Sequence, residues 1–141
     1  MSSRKKGTYC IHICCSSSKE TIVGRLGIIG FEPGHYLYMG SALRSLDMRI
    51  RRHRSDKKNV FWHIDYLTSD KDFSTAGAYI INSPERLECQ KAGQLQEIIP
   101  SIPGFGSSDC SCRSHLFYAG NGKAGLRRVK EIMQTLGFEK W

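Results

Sequence analysis

The sequence has no long apolar run. No segment approaches the ~20 consecutive apolar residues that a membrane-spanning helix requires, so we expect no membrane partner. The apolar run that follows the basic N-terminal residues is short, is interrupted by His12, and does not resemble a secretory signal. We therefore expect a cytoplasmic protein. Its six cysteines are then expected to be reduced thiols or metal ligands rather than a disulfide framework.

Acidic residues are also scarce. The 141 residues include 13 Asp and Glu against 21 Lys and Arg, which gives a formal net charge of +8. This excess is unusual for a small enzyme of neutral metabolites, and it favours a polyanionic partner such as nucleic acid. A protein that is simply basic is the alternative.

The cations are concentrated in residues 44–58, where only Asp47 and Asp56 oppose them. A phosphate backbone would supply the missing countercharge, whereas a solvated helix face is the structural alternative. The seven cations of this segment are Arg44, Arg49, Arg51, Arg52, Arg54, Lys57 and Lys58.

Hydrophobic periodicity predicts an α/β (α+β) domain, with a small antiparallel or mixed central sheet flanked by helices. No repeat, low-complexity tract or linker is evident, so we expect a disordered basic leader, 1–6, followed by one domain, 7–141. Residues 21–26 are expected to pair with 7–15 as a hairpin and to be followed by an irregular link, while 60–67 fits either a strand or a helix. The predicted strands are 7–15, 21–26, 35–39, 76–82 and 113–119, and the predicted helices are 44–54, 83–99 and 123–136.

A strand, a glycine turn at Gly40 and a basic helix are predicted in succession between residues 36 and 54. Arg49 and His53 are four residues apart, so they share one face of the helix, while Leu43, Leu46 and Ile50 form its buried stripe. A guanidinium, an imidazole and the tyrosines of the strand would therefore converge. This group suits phosphodiester cleavage, because a fixed cation stabilises the negative transition state. For a single tyrosine, packing with a hydrogen-bonded hydroxyl is the alternative.

Several short motifs resemble those of the GIY-YIG endonuclease superfamily. Gly7-Thr8-Tyr9 and Tyr38-Met39-Gly40 precede the helix that carries Arg49. The closer resemblance is to the Uri-type branch, an archaeal and bacterial group long classed as a domain of unknown function. Its signatures resemble residues 36–42, 62–67 and 104–112 here, and the resemblance covers roughly residues 7–118.

The resemblance implies a metal-dependent endonuclease that hydrolyses phosphodiester bonds in DNA, with water as the nucleophile. Tyr9 and Tyr38 would lie side by side on neighbouring strands, and one of them would act as the base or position the water. Arg49 would hold the scissile phosphate, and His53 would be a second basic or hydrogen-bonding group. Residues expected to bind the rest of the substrate are Arg44, Arg51, Arg52, Arg54 and His63.

The resemblance also implies a single divalent metal bound by a glutamate of the predicted helix 83–99. We prefer Glu88 to Glu85, because Glu85 has a sufficient role beside the helix N-terminus. The ion would be Mg²⁺, or Mn²⁺, and it would relieve charge on the leaving oxygen.

A second candidate group consists of Asp109, Cys110, Cys112 and His115. Two thiols and an imidazole within six residues could bind zinc, with Cys14, Cys15 or His12 as the fourth ligand. The same residues could instead lie at the edge of the active site, or be buried thiols beside a satisfied histidine.

Two other functions stay open at this point. One is a non-catalytic nucleic-acid-binding module with a structural zinc site, and the other is a nuclease that acts on RNA, which charge does not distinguish from DNA. We recognise no zinc-finger module or recognition helix. We therefore expect a DNA nuclease to recognise branches or damage, as in DNA repair, or to act with a partner. A homodimer is also left open.

Overall fold

The structure, a computed structural model, describes residues 5–55, 58–108 and 110–141. These residues form a mixed α/β arrangement of seven strands and four α-helices, which confirms the predicted α+β class. In chain order the elements are β1 (Gly7–Cys15), β2 (Lys19–Ile22), β3 (Ile28–Phe31), β4 (Gly34–Ala42), α1 (Leu46–Arg54), α2 (His63–Thr68), β5 (Phe73–Asn82), α3 (Glu88–Gln96), β6 (Leu116–Gly120), α4 (Gly122–Thr135) and β7 (Glu139–Lys140).

Five strands form an antiparallel central sheet in the order β6-β4-β1-β5-β7. The pairing of β1 with β4 sets Tyr9 opposite Gly40 and Ile11 opposite Tyr38. Residues two apart in register lie on the same face and are diagonal neighbours. Tyr9 and Tyr38 therefore lie close together on one face of the sheet.

Each face of the sheet is covered by an apolar cluster. Successive residues of β1 pack alternately into one cluster and the other. Tyr9, Ile11 and Ile13 pack on one face with residues of α1 and α2, whereas Cys10 packs on the other face with residues of α3 and α4. The alternation predicted for residues 7–15 is therefore confirmed. The helical residues are Leu46, Ile50, Ile64 and Leu67 on the first face, and Ala92, Leu95, Val129, Ile132 and Met133 on the second.

Strands β2 and β3 form a separate two-stranded sheet. The predicted hairpin between residues 21–26 and 7–15 is wrong, as is the predicted irregular link after it. Strand β1 already pairs with β4 on one side and β5 on the other. Its backbone groups are thus occupied, and the inserted segment pairs with itself.

The predicted turn at Gly40 is also wrong. Strand β4 continues through Gly40 to Ala42, and a Cβ at Gly40 would lie 2.3 Å from the hydroxyl of Tyr9. The glycine is needed because the Tyr9 ring crosses the backbone, not because the chain turns there. Helix α1 begins at Leu46, after the N-cap Ser45 accepts the Met48 N–H at 3.2 Å. Leu43 precedes this helix and is 58% exposed, contrary to the predicted stripe.

Helix α3 begins at Glu88, five residues after the predicted start at Ser83. Ser83 Oγ instead accepts the Glu85 N–H at 3.2 Å, and the Leu87 N–H donates to Oγ1 of Thr8 at 3.2 Å. The segment before α3 is thus tied to β1. The ambiguous segment 60–67 contributes helix α2, and the predicted cap of the last helix at Asn121 is confirmed.

The first four residues of the predicted leader, together with Asp56, Lys57 and Asp109, lie outside the described residues. The backbone carbonyls of Lys5 and Lys6 accept the N–H groups of Leu46, at 2.7 Å, and Ser83, at 3.0 Å. Among the helices described, none combines the length and the apolar character needed to cross a membrane.

Candidate functional site

A cleft of about 820 Å³ lies between the start of α1, the start of α3 and the loop that contains Gly106. It collects side chains from β1, β4, α1, α2 and α3. Arg51 and Arg54, predicted to bind substrate, are not among its lining residues. The predicted site residues that line it are Tyr9, Tyr38, Arg44, Arg49, Arg52, His63 and Glu88.

Tyr9 and His53 form a buried pair behind the cleft. The Tyr9 hydroxyl lies 2.8 Å from Nε2 of His53. Burial, with a smaller effect of the Lys58 charge, lowers the pKa of His53 to about 3, so the ring is neutral. When the neutral His53 ring carries its hydrogen on Nδ1, the phenol of Tyr9 donates to Nε2.

Both tyrosines are protonated at neutral pH. Burial raises the pKa of Tyr9 above its ordinary value, although the charge and hydrogen bond of Arg49 act in the opposite direction. Burial also raises the pKa of Tyr38, and the neighbouring Tyr9 adds to this effect. A phenol in this cleft gains a proton from water only if it passes its own proton onward, and His53 is the acceptor in contact with Tyr9.

The guanidinium of Arg49 is available to an anion. It lies over the Trp62 ring at 4.6 Å from the centroid and donates to the Ser41 carbonyl at 3.3 Å. None of the ion pairs found among the described residues includes Arg49. The aromatic ring and the carbonyl orient this cation without neutralising it.

Arg52 differs from Arg49, because its charge is compensated. It donates two hydrogen bonds, of 2.7 and 2.9 Å, to the carboxylate of Asp65, and it lies 4.4 Å from the Trp62 ring centroid. The Asp65 side chain is fully buried and also accepts the backbone N–H groups of Phe61 and Trp62. Arg52 therefore fixes α2 against α1 at the wall of the cleft.

His63 lines the cleft as a neutral donor. Its Nδ1 accepts the Gly106 N–H at 2.9 Å, so Nδ1 carries no hydrogen. Burial lowers the pKa of His63, which leaves the hydrogen of the neutral ring on Nε2.

Glu88 brings a carboxylate into the cleft from the first turn of α3. One oxygen lies 3.2 Å from the Arg86 guanidinium, and the other lies 3.5 Å from Nδ1 of His115. Glu85, the alternative metal ligand, is exposed and does not line the cleft. Of the two glutamates, Glu88 is the one that lies with Tyr9, Tyr38 and Arg49.

Comparison with known families finds a match to the family described as "Domain of unknown function DUF123", over residues 8–138. This chain belongs to the DUF123 family. The matched range contains the four helices and every residue that lines the cleft. No curated protein and no solved structure matches the chain. The family description assigns no activity to a DUF123 domain, so its chemistry has to be inferred from the cleft.

A second group of this DUF123 domain, which we call the cysteine cluster, consists of Cys89, Cys110, Cys112 and His115. The ligand atoms of these four residues all lie within 4.8 Å of one another, so the group could hold a metal ion. Burial and the neighbouring thiols raise the pKa of Cys89 to about 12. The predicted fourth ligand, Cys14, Cys15 or His12, is wrong, because α3 places Cys89 beside the loop that precedes β6.

The three rejected ligands lie elsewhere. His12 and Cys14 lie with His35 in a separate group that could also hold a metal; Nε2 of His12 is 2.8 Å from Nδ1 of His35. The Cys15 thiol is buried and donates to the Ser17 carbonyl at 3.1 Å.

Sequence reasoning assigned no role to several residues of this DUF123 domain. Trp62 and Asp65 belong to a segment that was noticed only for its resemblance, yet they fix Arg49 and Arg52. Cys89 was not predicted as a metal ligand, because a single cysteine at the start of a helix does not form a ligand motif with a nearby residue. Arg86 and Ser108, which also line the cleft, carried no pattern in the sequence.

Proposed function

We propose that this DUF123 domain is a metal-dependent endonuclease of GIY-YIG type that hydrolyses phosphodiester bonds in DNA. The observation that carries the proposal is the convergence of Tyr9, Tyr38, Arg49 and Glu88 in one cleft. Two phenols, a carboxylate and a cation that has no acidic partner among the described residues suit a hydrolytic attack on a phosphodiester.

Arg49 binds the scissile phosphate in this mechanism. Its guanidinium is held by Trp62 and the Ser41 carbonyl before substrate arrives, so little reorganisation accompanies the reaction. Such preorganised donors stabilise the charge that develops in the transition state. Arg44, exposed at the cleft wall, and Nε2–H of His63 contact the flanking phosphates.

Tyr9 deprotonates the attacking water, and Tyr38 positions it. As the phenol oxygen of Tyr9 takes the water proton, its own proton passes to Nε2 of His53, which is 2.8 Å away. An anionic phosphate in the cleft raises the pKa of His53, because a nearby negative charge favours the imidazolium. Substrate therefore prepares the group that accepts the proton.

Glu88 is the residue that would hold Mg²⁺ or Mn²⁺. These ions are commonly bound by one or two carboxylates, with waters and substrate phosphate completing the shell, and Glu88 offers a carboxylate beside open space in the cleft. When bound, the metal supplies charge relief to the leaving oxygen. Asp65 does not fit this role, because its side chain is fully buried and does not line the cleft.

The test is a cleavage assay with magnesium on supercoiled plasmid, branched DNA, single-stranded DNA and RNA. We expect cleavage of DNA, and a loss of about 10²-fold or more in Arg49→Ala with less than a tenfold loss of binding. Arg54→Ala, on the same helix but outside the cleft, is the matched control and keeps its activity.

Three outcomes would overturn parts of the proposal. Cleavage that Arg49→Ala leaves intact contradicts the assigned site. If the protein cleaves RNA and not DNA, the proposed substrate is RNA instead of DNA. Tight binding without cleavage of any substrate favours a non-catalytic nucleic-acid-binding module.

A further inference from the structure

The cysteine cluster has a geometry that suits one particular ion. In a tetrahedral zinc site with ordinary Zn–S and Zn–N bonds, neighbouring ligand atoms are roughly 3.6–3.8 Å apart. Nε2 of His115 lies 3.6 Å from the Cys110 sulfur and 3.9 Å from the Cys89 sulfur. All four ligand atoms fall within 4.8 Å of one another, so a small contraction closes the tetrahedron.

The donor types point to the same ion. Three thiols with one imidazole form a Cys₃His set, which is characteristic of closed structural zinc sites. Thiolates favour zinc, Cu(I) and iron–sulfur clusters over Mg²⁺ or Ca²⁺, so this cluster and the carboxylate of Glu88 select different metals. The cysteines of the cluster are free thiols.

His115 faces the cysteine cluster and the cleft at the same time. Its Nε2 faces the Cys89 and Cys110 sulfurs, while its Nδ1 lies 3.5 Å from the Glu88 carboxylate. Histidines that bind a metal usually donate their other ring N–H to a carboxylate or carbonyl, which fixes the ring and orders both groups. The ring is almost fully buried, at 2% exposure.

We propose that Cys89, Cys110, Cys112 and His115 bind one zinc ion, and that His115 thereby positions Glu88 at the wall of the cleft. Zinc binding stands on the cluster alone, whereas the importance of positioning Glu88 rests on the proposed nuclease function.

Zinc at this site would fix two cleft walls. Cys89 follows Glu88 directly in the first turn of α3, and the other three ligands lie in or at the end of the loop before β6. That loop also carries Gly106, whose N–H donates to His63 and where a Cβ would lie 3.0 Å from the Tyr38 ring. The ion would therefore join α3 to this loop, with Glu88 on one side and His63 on the other.

The first experiment uses the unmodified protein. Metal analysis after purification without added metal should find one zinc per chain, released by a chelator. Alkylation followed by mass spectrometry should find Cys89, Cys110 and Cys112 protected in the zinc form and modified after chelation. Cys14 is the internal control and should react equally in both forms, because its group offers only three ligand atoms and two of them, Nε2 of His12 and Nδ1 of His35, already contact each other at 2.8 Å.

The zinc proposal is overturned if no zinc copurifies or binds on titration, if protection falls on Cys14, or if two cysteines of the cluster are joined by a disulfide. Cobalt titration adds a spectroscopic check, since tetrahedral cobalt with thiolates has characteristic visible and charge-transfer bands. Cys89→Ser should lower zinc affinity at least 100-fold and Cys14→Ser should not. If Cys89→Ser does not fold, the alkylation pattern of the unmodified protein still tests whether the cysteine cluster binds zinc.

The link to Glu88 is tested by zinc affinity, measured in competition with a chromophoric chelator. Loss of a carboxylate partner to a metal-bound histidine typically costs about 10- to 100-fold in affinity, so Glu88→Ala should weaken zinc binding by about tenfold. Glu85→Ala, three residues earlier and exposed, should not. Equal affinities in the two variants would overturn the positioning role. None of these readouts uses cleavage, so they are separate from any failure of the nuclease function.

Discussion

The Tyr9 hydroxyl lies 2.8 Å from Nε2 of His53, and neither side chain is more than 2% exposed. The two residues come from the central strand β1 and the last turn of α1. Their hydrogen bond therefore joins the sheet to the cationic helix directly behind Arg49. It is a structural link and, in the proposed mechanism, the path of the proton.

Tyr9→Phe should lower both stability and cleavage. The variant leaves Nε2 of His53 buried without its hydrogen-bond partner, which costs about 1–3 kcal/mol, and it removes the group that deprotonates water in the proposed mechanism. Urea unfolding and single-turnover cleavage measure the two effects. Tyr36→Phe is the matched control, because the Tyr36 hydroxyl donates to the Glu32 carbonyl outside the cleft. It should lose stability and keep activity; equal activity in both variants would contradict the role of Tyr9.

His53 should stay neutral across the working pH range. Its folded-state pKa is about 3, below the ordinary value of 6.5, so the unfolded state binds a proton first as pH falls. The stability contributed by the neutral ring is complete above about pH 6.5 and decreases as pH falls towards 3. NMR of the ring, assigned with His53→Gln, should show no titration above pH 5. A midpoint near 6.5 would contradict its burial.

Gly40→Ala should destabilise the protein by about 1–3 kcal/mol and reduce cleavage, because the added Cβ would lie 2.3 Å from the Tyr9 ring. Gly77→Ala is the matched control on β5, where a Cβ meets no atom within 4 Å. Thermal unfolding of the two variants measures the difference. Equal melting temperatures would show that the Tyr9 ring does not occupy this position.

Arg52→Ala should destabilise by about 3 kcal/mol, since it leaves Asp65 buried without its partner. Burial raises the pKa of Asp65, but the hydrogen bonds from Arg52, Trp62 and Phe61 outweigh this effect and hold that pKa below its ordinary value. The stability gained from this carboxylate is thus complete above about pH 4 and is lost as pH falls further. The difference from wild type, measured in urea at pH 7 and pH 3, should shrink in acid. Arg54→Ala, exposed on the same helix, should change stability little at either pH.

Strands and helices with strong local patterns were predictable from the sequence. The alternation in β1 gave its bounds, and Asn121 and Gly137 bound the last helix, because these signals lie within a few residues. The small sheet of β2 and β3 was not predictable, since its pairing depends on β4 and β5 already occupying both sides of β1. The start of α3 was predicted too early. Ser83-Pro84 is a local helix-start signal, whereas the hydrogen bond that ties Leu87 to Thr8 joins residues far apart in the sequence and was not predictable.

The candidate site divides in the same way. Tyr9, Tyr38, Arg49 and Glu88 were proposed from the resemblance to the GIY-YIG superfamily, and the fold brings them into one cleft. The fourth member of the cysteine cluster was not predictable, because Cys89 and Cys110 are separated by a helix and a loop. The commitment of Arg52 to Asp65 was also hidden, since a charge run does not show which cation has a partner.

The central claim, that Glu88 contributes to phosphodiester hydrolysis in this cleft, is tested most directly by comparing Glu88→Gln with Glu85→Gln. Both changes remove one negative charge from neighbouring positions, but only Glu88 lines the cleft. The measurement is the single-turnover rate of DNA cleavage with magnesium at saturating protein. We predict a loss of at least 100-fold in Glu88→Gln and a rate within twofold of wild type in Glu85→Gln. Equal rates in the two variants would contradict the account.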